Sequence, residues 1–156
     1  MSPILKTGEK APDFNLAADG NRQIDLKSYL GQNLVLYFYP KDDTSGCTQE
    51  ALDFNALRHE FEKAETAILG VSPDPVKKHD KFKAKYELDF PLLSDEEKAM
   101  LSQYGVWVEK SMYGRKYMGV ERTTFLLDKQ GIIVRIWSKV KVPGHSAEVL
   151  AAAQAL

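Results

Sequence analysis

Cys47 is the only cysteine among the 156 residues, and its surroundings make it the first candidate for chemistry. It follows a polar, glycine-containing stretch, Lys41-Asp42-Asp43-Thr44-Ser45-Gly46, and from Thr48 the pattern turns helical. The thiol is therefore expected at, or just inside, the N-terminus of a helix. Such an end carries about half a positive charge and unpaired N–H groups. Both favour thiolate over thiol, and the thiolate is the nucleophile. A lone cysteine is more often a small buried hydrophobe, but a structural cysteine sits more naturally inside an apolar run than behind a loop of this kind. Two roles fit Thr44 equally. It caps the helix and satisfies an unpaired N–H, or it caps and also turns its hydroxyl into the pocket where the thiolate meets a substrate. Pro40 reads as the end of the preceding strand, because it has no N–H for the ladder.

One cysteine excludes an internal disulfide, and with it a disulfide-stapled scaffold. A cysteine-based zinc site needs further ligands, and His59, His79 and His145 show no metal-binding spacing with Cys47. No metal and no cofactor is expected.

The elements that position the thiol can be read from hydrophobic periodicity. Residues 33–39 form a nearly continuous apolar and aromatic run, which suits a central strand covered on both faces. Ala51, Phe54, Leu57 and Phe61 then recur at helix spacing. Residues 66–72 read as a second buried strand, and Asp74-Pro75 opens a helix to about residue 86, with Asp as cap and Pro at the first helical position. Ser94 to Glu97 matches a capping box for a short helix to Tyr104, closed by Gly105. Residues 106–108 and 113–118 are weaker strands, whereas 123–127 and 132–137 form a strong antiparallel hairpin. Residues 14–16 suit a short strand, Asp19-Gly20 a turn, 25–30 one helical turn, and 146–156 a final helix. The sum is an α/β fold: a central mixed sheet with helices on both faces and an antiparallel edge.

Composition narrows the function. The length suits one domain spanning residues 1–156. The chain is 44% hydrophobic, enough for a real core, and its net charge of −1 removes the strongest argument for binding nucleic acid or an acidic membrane surface. Residues 1–14 lack the basic-then-apolar order of a signal peptide, and no apolar run approaches the roughly 20 residues of a membrane span. A cytoplasmic protein is expected.

The stretch Phe38-Tyr39-Pro40-Lys41-Asp42-Asp43-Thr44-Ser45-Gly46-Cys47-Thr48-Gln49-Glu50 resembles the active-site loop of peroxiredoxins, whose Pro-x-x-x-Thr-x-x-Cys pattern falls on Pro40, Thr44 and Cys47. The fuller string is similar to the bacterioferritin comigratory protein, or Q-type, branch. The resemblance extends over nearly the whole chain, through Gly8 to Phe14, Gly70-Val71-Ser72, Phe90 to Asp95, Lys110 to Gly114, Glu121 to Phe125, and Val142 to His145. It implies a thioredoxin-like fold and a thiol-dependent peroxidase, acting on hydrogen peroxide and alkyl hydroperoxides. It further implies that Cys47 is the nucleophile, with Thr44 and Arg122 as its catalytic partners. A guanidinium near the sulfur favours the thiolate and stabilises charge on the leaving oxygen. Without the resemblance Arg122 would read as a surface charge or a partner of Glu121. Glu50 fits either a carboxylate that orients Arg122 or an ordinary acid in the first helical turn.

Two departures matter. Many members of this branch carry a second cysteine at the position of Leu52, others in a later helix, and this sequence has neither. An oxidised Cys47 then depends on an external thiol, with glutathione, glutaredoxin or thioredoxin as the candidate reductants. Ser45 stands where the family usually has proline, which loosens the loop slightly. The branch is often monomeric, so a monomer is expected. Two other functions compete with the peroxidase: a peroxide-oxidised sensor or relay that passes a disulfide to a partner protein, and a thioredoxin-like binding module with an inert cysteine. Of two readings for Tyr113, Tyr117 and Met118, a pocket lining for an organic hydroperoxide and packing, packing is expected; the lysines between Lys77 and Lys85 are expected to form a solvated helix face, and His145 to serve a turn or cap.

Overall fold

A computed structural model describes residues 5–156. Residues 1–4 of the segment inspected for a leader lie outside the described residues. The chain begins with an antiparallel pair, β1 (Asn15–Ala18) and β2 (Arg22–Asp25), joined by a 3₁₀ turn at Asp19–Asn21. Next come β3 (Asn33–Phe38), α1 (Ser45–Ala56), α2 (Arg58–Lys63) and β4 (Thr66–Ser72). They are followed by α3 (Val76–Tyr86), β5 (Leu92–Ser94) and α4 (Ala99–Gln103). A hairpin of β6 (Trp107–Met112) and β7 (Arg115–Val120) precedes β8 (Thr123–Leu127), β9 (Ile133–Trp137) and α5 (His145–Gln154).

Seven strands form one mixed sheet in the order β2-β1-β5-β4-β3-β8-β9. Its centre, β5-β4-β3, is parallel, and β8, β9, β1 and β2 add antiparallel edges. β3 is buried at every position, and its alternation divides the core. Leu34, Leu36 and Phe38 point to one face, where they pack with Leu69, Val71, Phe125 and the α4 residues Met100 and Leu101. Val35, Tyr37 and Tyr39 point to the other, against Ala51 and Phe54 of α1, Phe61 of α2, Phe82 of α3 and Val149 of α5. Helices thus cover both faces, unequally. Among the described residues, no helix is long and apolar enough to cross a membrane.

Several boundaries differ from the sequence reading. The periodic run through Leu57 is two helices rather than one. Leu57 leaves helical geometry (φ −98°, ψ 5°), and Arg58 donates to the Asn55 carbonyl at 2.8 Å. α3 starts one residue late, with Pro75 extended ahead of it, because the Asp74 carboxylate is engaged by Ser72 and the backbone of Asp42. The Ser94 capping box does not form. Ser94 ends β5 and donates to the Asp74 carbonyl, while Asp95 accepts the Leu101 N–H of α4 at 2.8 Å. β2 has no clear apolar pattern and was not expected. The packing expected of Tyr113, Tyr117 and Met118 is also wrong, since all three are exposed on the β6–β7 hairpin, whose Tyr113-Gly114 turn takes positive φ at both residues. This ribbon pairs with no strand of the main sheet; Trp107 and Val120 at its base pack on the core, and its outer part has no second layer to cover it.

Close packing at β3–β4 leaves no room for a side chain at Gly70. A Cβ there would meet Leu92 Cδ2 at 2.9 Å and the Tyr37 ring at 3.0 Å. Gly70→Ala is expected to cost about 1–3 kcal/mol by overpacking, read as a lowered midpoint in urea unfolding.

Candidate active site

The strand-loop-helix passage from β3 to α1 puts Cys47 on the first turn of α1, as the sequence pattern predicts. The sulfur is not on the surface: Cys47 is 1% exposed and packs with Ala51 and Phe54 against the Tyr37 side of the sheet. The first N–H groups of α1 have no partner within the helix, and the first helical bond runs from Thr48 N–H to the Thr44 carbonyl at 2.8 Å.

Arg122 arrives from the far end of the chain, in the short link between β7 and β8. The antiparallel pairing of β8 with β3 sets Thr123 beside Phe38, so the link ends where the Cys47 loop begins. Arg122 Nη2 donates to Cys47 Sγ at 3.3 Å, and Nη1 donates to Glu50 Oε1 at 2.6 Å. Gly46 makes room for this approach, since a Cβ there would stand 3.3 Å from Arg122 Nη2. The Arg122 carbonyl accepts the Val140 N–H at 2.9 Å, which fixes its backbone.

Each charge in this group has a physical account. Burial would push Arg122 down, but Glu50 and Cys47 outweigh it and hold the guanidinium charged. Burial pushes the Glu50 carboxyl up to about 7 against the pull of Arg122. Its second oxygen, Oε2, has no hydrogen-bond partner among the described residues. His145, the first residue of α5, is buried against Phe54 and Trp137 and shares a 2.8 Å hydrogen bond with Thr124 Oγ1. Burial pushes it down to about 4, so the ring is neutral at pH 7.

Of the three residues singled out in the sequence, Cys47 and Arg122 are in direct contact. Thr44 flanks the helix but does not cap it with its side chain. Its hydroxyl donates instead to the Lys41 carbonyl at 2.8 Å, and the residue is exposed. Glu50 orients Arg122, the first of the two roles open to it. Leu52 packs half-buried with the apolar cluster behind Cys47. Sequence reasoning overlooked His79, which lies wholly buried beside the same loop and bonds Asp42. Its spacing with Phe82 and Tyr86 on the inner face of α3 was the available signal.

A family model of the AhpC/TSA family matches residues 7–136. Peroxiredoxin Bcp of Xanthomonas campestris pv. campestris is 52% identical over 152 residues, covering 97% of this chain and 95% of that protein. This chain is a peroxiredoxin of the Bcp type. Peroxiredoxin Bcp of Bacillus subtilis is 47% identical over 146 residues, 94% of this chain and 93% of its own length. Among solved structures, Xanthomonas campestris peroxiredoxin Q superposes with a TM-score of 0.88 at 52% identity, covering 91% of this chain and 90% of that one. A Cys-to-Ser variant of Xylella fastidiosa PrxQ reaches 0.93 at 41% identity, covering 99% and 98%. The peroxiredoxin is thus a thiol-dependent peroxidase on the mixed, helix-flanked sheet of its PrxQ relatives, and the inert binding module is set aside.

A carboxyl raised by burial stabilises the fold while protonated and loses that contribution as it ionises. The unfolding midpoint of this peroxiredoxin, relative to a Glu50→Gln variant, is expected to fall as pH rises from the ordinary carboxyl value of 4.5 through about 7. Thermal scans of both proteins at several pH values check this.

Proposed function

We propose that Cys47 is the peroxidatic nucleophile, that Arg122 and Thr44 are its catalytic partners, and that an external thiol completes the cycle. The Cys47 thiolate attacks the terminal oxygen of a hydroperoxide. An S–O bond forms, the O–O bond breaks, and the leaving oxygen departs with the electron pair and takes up a proton to become water or an alcohol. Cys47 is left as sulfenic acid. A first external thiol displaces water from it to form a mixed disulfide, and a second displaces Cys47, yielding the oxidised thiol pair.

The observation that carries this reading is the fork of Arg122, with one nitrogen 3.3 Å from Cys47 Sγ and the other 2.6 Å from Glu50. Glu50 fixes the angle at which the guanidinium meets the sulfur. That arrangement favours negative charge on sulfur before attack and on the departing oxygen during it. Thr44 supports the same reading in one respect. Its O–H is committed to the Lys41 carbonyl, so its oxygen is an acceptor for the peroxide O–H. Open N–H groups at the start of α1 complete a polar cradle. One relative's structural report, on Xanthomonas campestris bacterioferritin comigratory protein, is titled for alkyl peroxide reduction activity; alkyl hydroperoxides and hydrogen peroxide are the substrates proposed here. Leu52 occupies the position of the branch's second thiol, which is why the reductant must come from outside.

The test is peroxide consumption by the purified protein with glutathione plus glutaredoxin, or with thioredoxin, as reductant. Sustained turnover that vanishes in Cys47→Ser is expected. Arg122→Met is expected to slow the oxidation step by about 10²–10³-fold, the loss typical of one transition-state donor. One stoichiometric oxidation without turnover under either reductant would favour the sensor or relay. No oxidation of folded protein would overturn the assignment of Cys47.

A further inference from the structure

A second group of ionisable side chains, Asp42, Asp74 and His79, lies buried beside the loop that carries Thr44 and Cys47. Their types and separations would suit a cation, but their atoms are taken up by one another and by neighbours. His79, on α3, is 0% exposed. Its Nε2 lies 2.9 Å from the Leu93 carbonyl of β5, which can only accept, so Nε2 carries a proton. Its Nδ1 lies 2.6 Å from Asp42 Oδ2, while Asp42 Oδ1 accepts the Tyr39 hydroxyl at 2.6 Å. Opposite an ionised Asp42 the ring donates from both nitrogens and is an imidazolium. The backbone of Asp42 is held as well, its N–H donating to Asp74 Oδ2 at 2.8 Å. The next residue, Asp43, takes the left-handed conformation (φ 61°), and its exposed carboxylate accepts Lys85 Nζ and Tyr86 Oη at the C-terminal end of α3. The loop therefore turns sharply between an inner tie and an outer tie, a few residues before Cys47.

We propose that His79 is a positioning residue for the Cys47 loop: acting through Asp42, its imidazolium holds residues 40–47 in the form that sets Cys47 and the start of α1 beside Arg122, and loss of its proton loosens that form. The catalytic half of this statement rests on the reading of Cys47 given above; the loop half does not.

The groups facing His79 explain the sign of the effect. Burial pushes the ring down, but the hydrogen bond and charge of Asp42, then the Leu93 carbonyl and the charge of Asp74, more than offset it and raise it above its ordinary 6.5. Tyr39, just past the end of β3, is kept neutral by burial, and β5 contributes only the backbone carbonyl. A base held above its ordinary value stabilises the tied loop fully below about 6.5, and that contribution is lost as pH rises through the raised value. Proton and loop are reciprocally coupled. Cys47 is 1% exposed, so a bulky thiol cannot reach it in the tied form. The tied loop suits the small peroxide, and release suits the reductant.

Three measurements test this. Ring ¹⁵N shifts of the wild-type protein should show His79 doubly protonated at pH 7 and titrating above the ordinary histidine range. In Cys47→Ser, where activity plays no part, the exchange protection of the Asp42 amide should drop roughly tenfold across the same titration. Single-turnover oxidation of Cys47 by excess hydrogen peroxide should show an alkaline decline with that midpoint. A folded His79→Gln variant should be about tenfold slower at pH 7 and lack the decline. A neutral His79 ring at pH 7, or Asp42 protection indifferent to the ring's titration, would overturn the tie whether or not His79→Gln folds. Protection that follows the ring, with an oxidation rate that does not, would overturn the positioning role alone; failure of Cys47 to oxidise in wild-type protein would strike the functional reading and leave the tie standing.

Discussion

Arg122 brings a permanent charge to a site only 17% exposed and lays it between the sulfur of Cys47 and the carboxylate of Glu50. Removing such a charge from water is tolerated only where hydrogen bonds and an opposite charge replace the solvent. Glu50 supplies them, at the cost of its own burial. The pair spans 72 positions of sequence, so it holds only if the sheet brings both ends of the chain together accurately.

The strand order does this. β3 lies between β4 and β8. Its C-terminal end feeds the Cys47 loop, and the antiparallel β8 begins at that same end. A parallel β8 would deliver Arg122 to the opposite edge of the sheet. The antiparallel addition to a parallel centre is thus the topological condition for a guanidinium beside the helix start. Gly46 and the Val140 contact then refine the approach by ångströms.

The loop is gripped from two directions by chemically different means. Arg122 reaches α1 from the β8 side with a charge that does not titrate near neutrality. His79 reaches Asp42 from α3 and β5 through a ring that can lose its proton. A helix start held by two grips of unequal pH sensitivity can stay organised around Arg122 while its preceding loop relaxes. This matters for the proposed cycle, in which a buried sulfur accepts a small oxidant and then meets a much larger thiol. With Leu52 in place of a second cysteine, no internal disulfide requires α1 itself to unwind.

Local sequence determined what depends on local pattern. The apolar runs at β3 and β4 announced buried strands, the β8–β9 hairpin followed from its turn, and the polar loop before a helical pattern placed Cys47 on a helix start. Where the pattern was weak or shared, it misled: β2 lacks apolar alternation, one periodic run became α1 and α2, and the exposed aromatics of the β6–β7 hairpin looked like core. Arg122 was legible only through the peroxiredoxin resemblance, because nothing nearby distinguishes a buried arginine from a surface one. Tertiary structure alone decided that Glu50 holds Arg122 and that His79 and Asp42 meet. Those choices depend on burial and on partners 37 and 72 positions apart, and desolvation, which sets their charges, exists only once the sheet has closed over them.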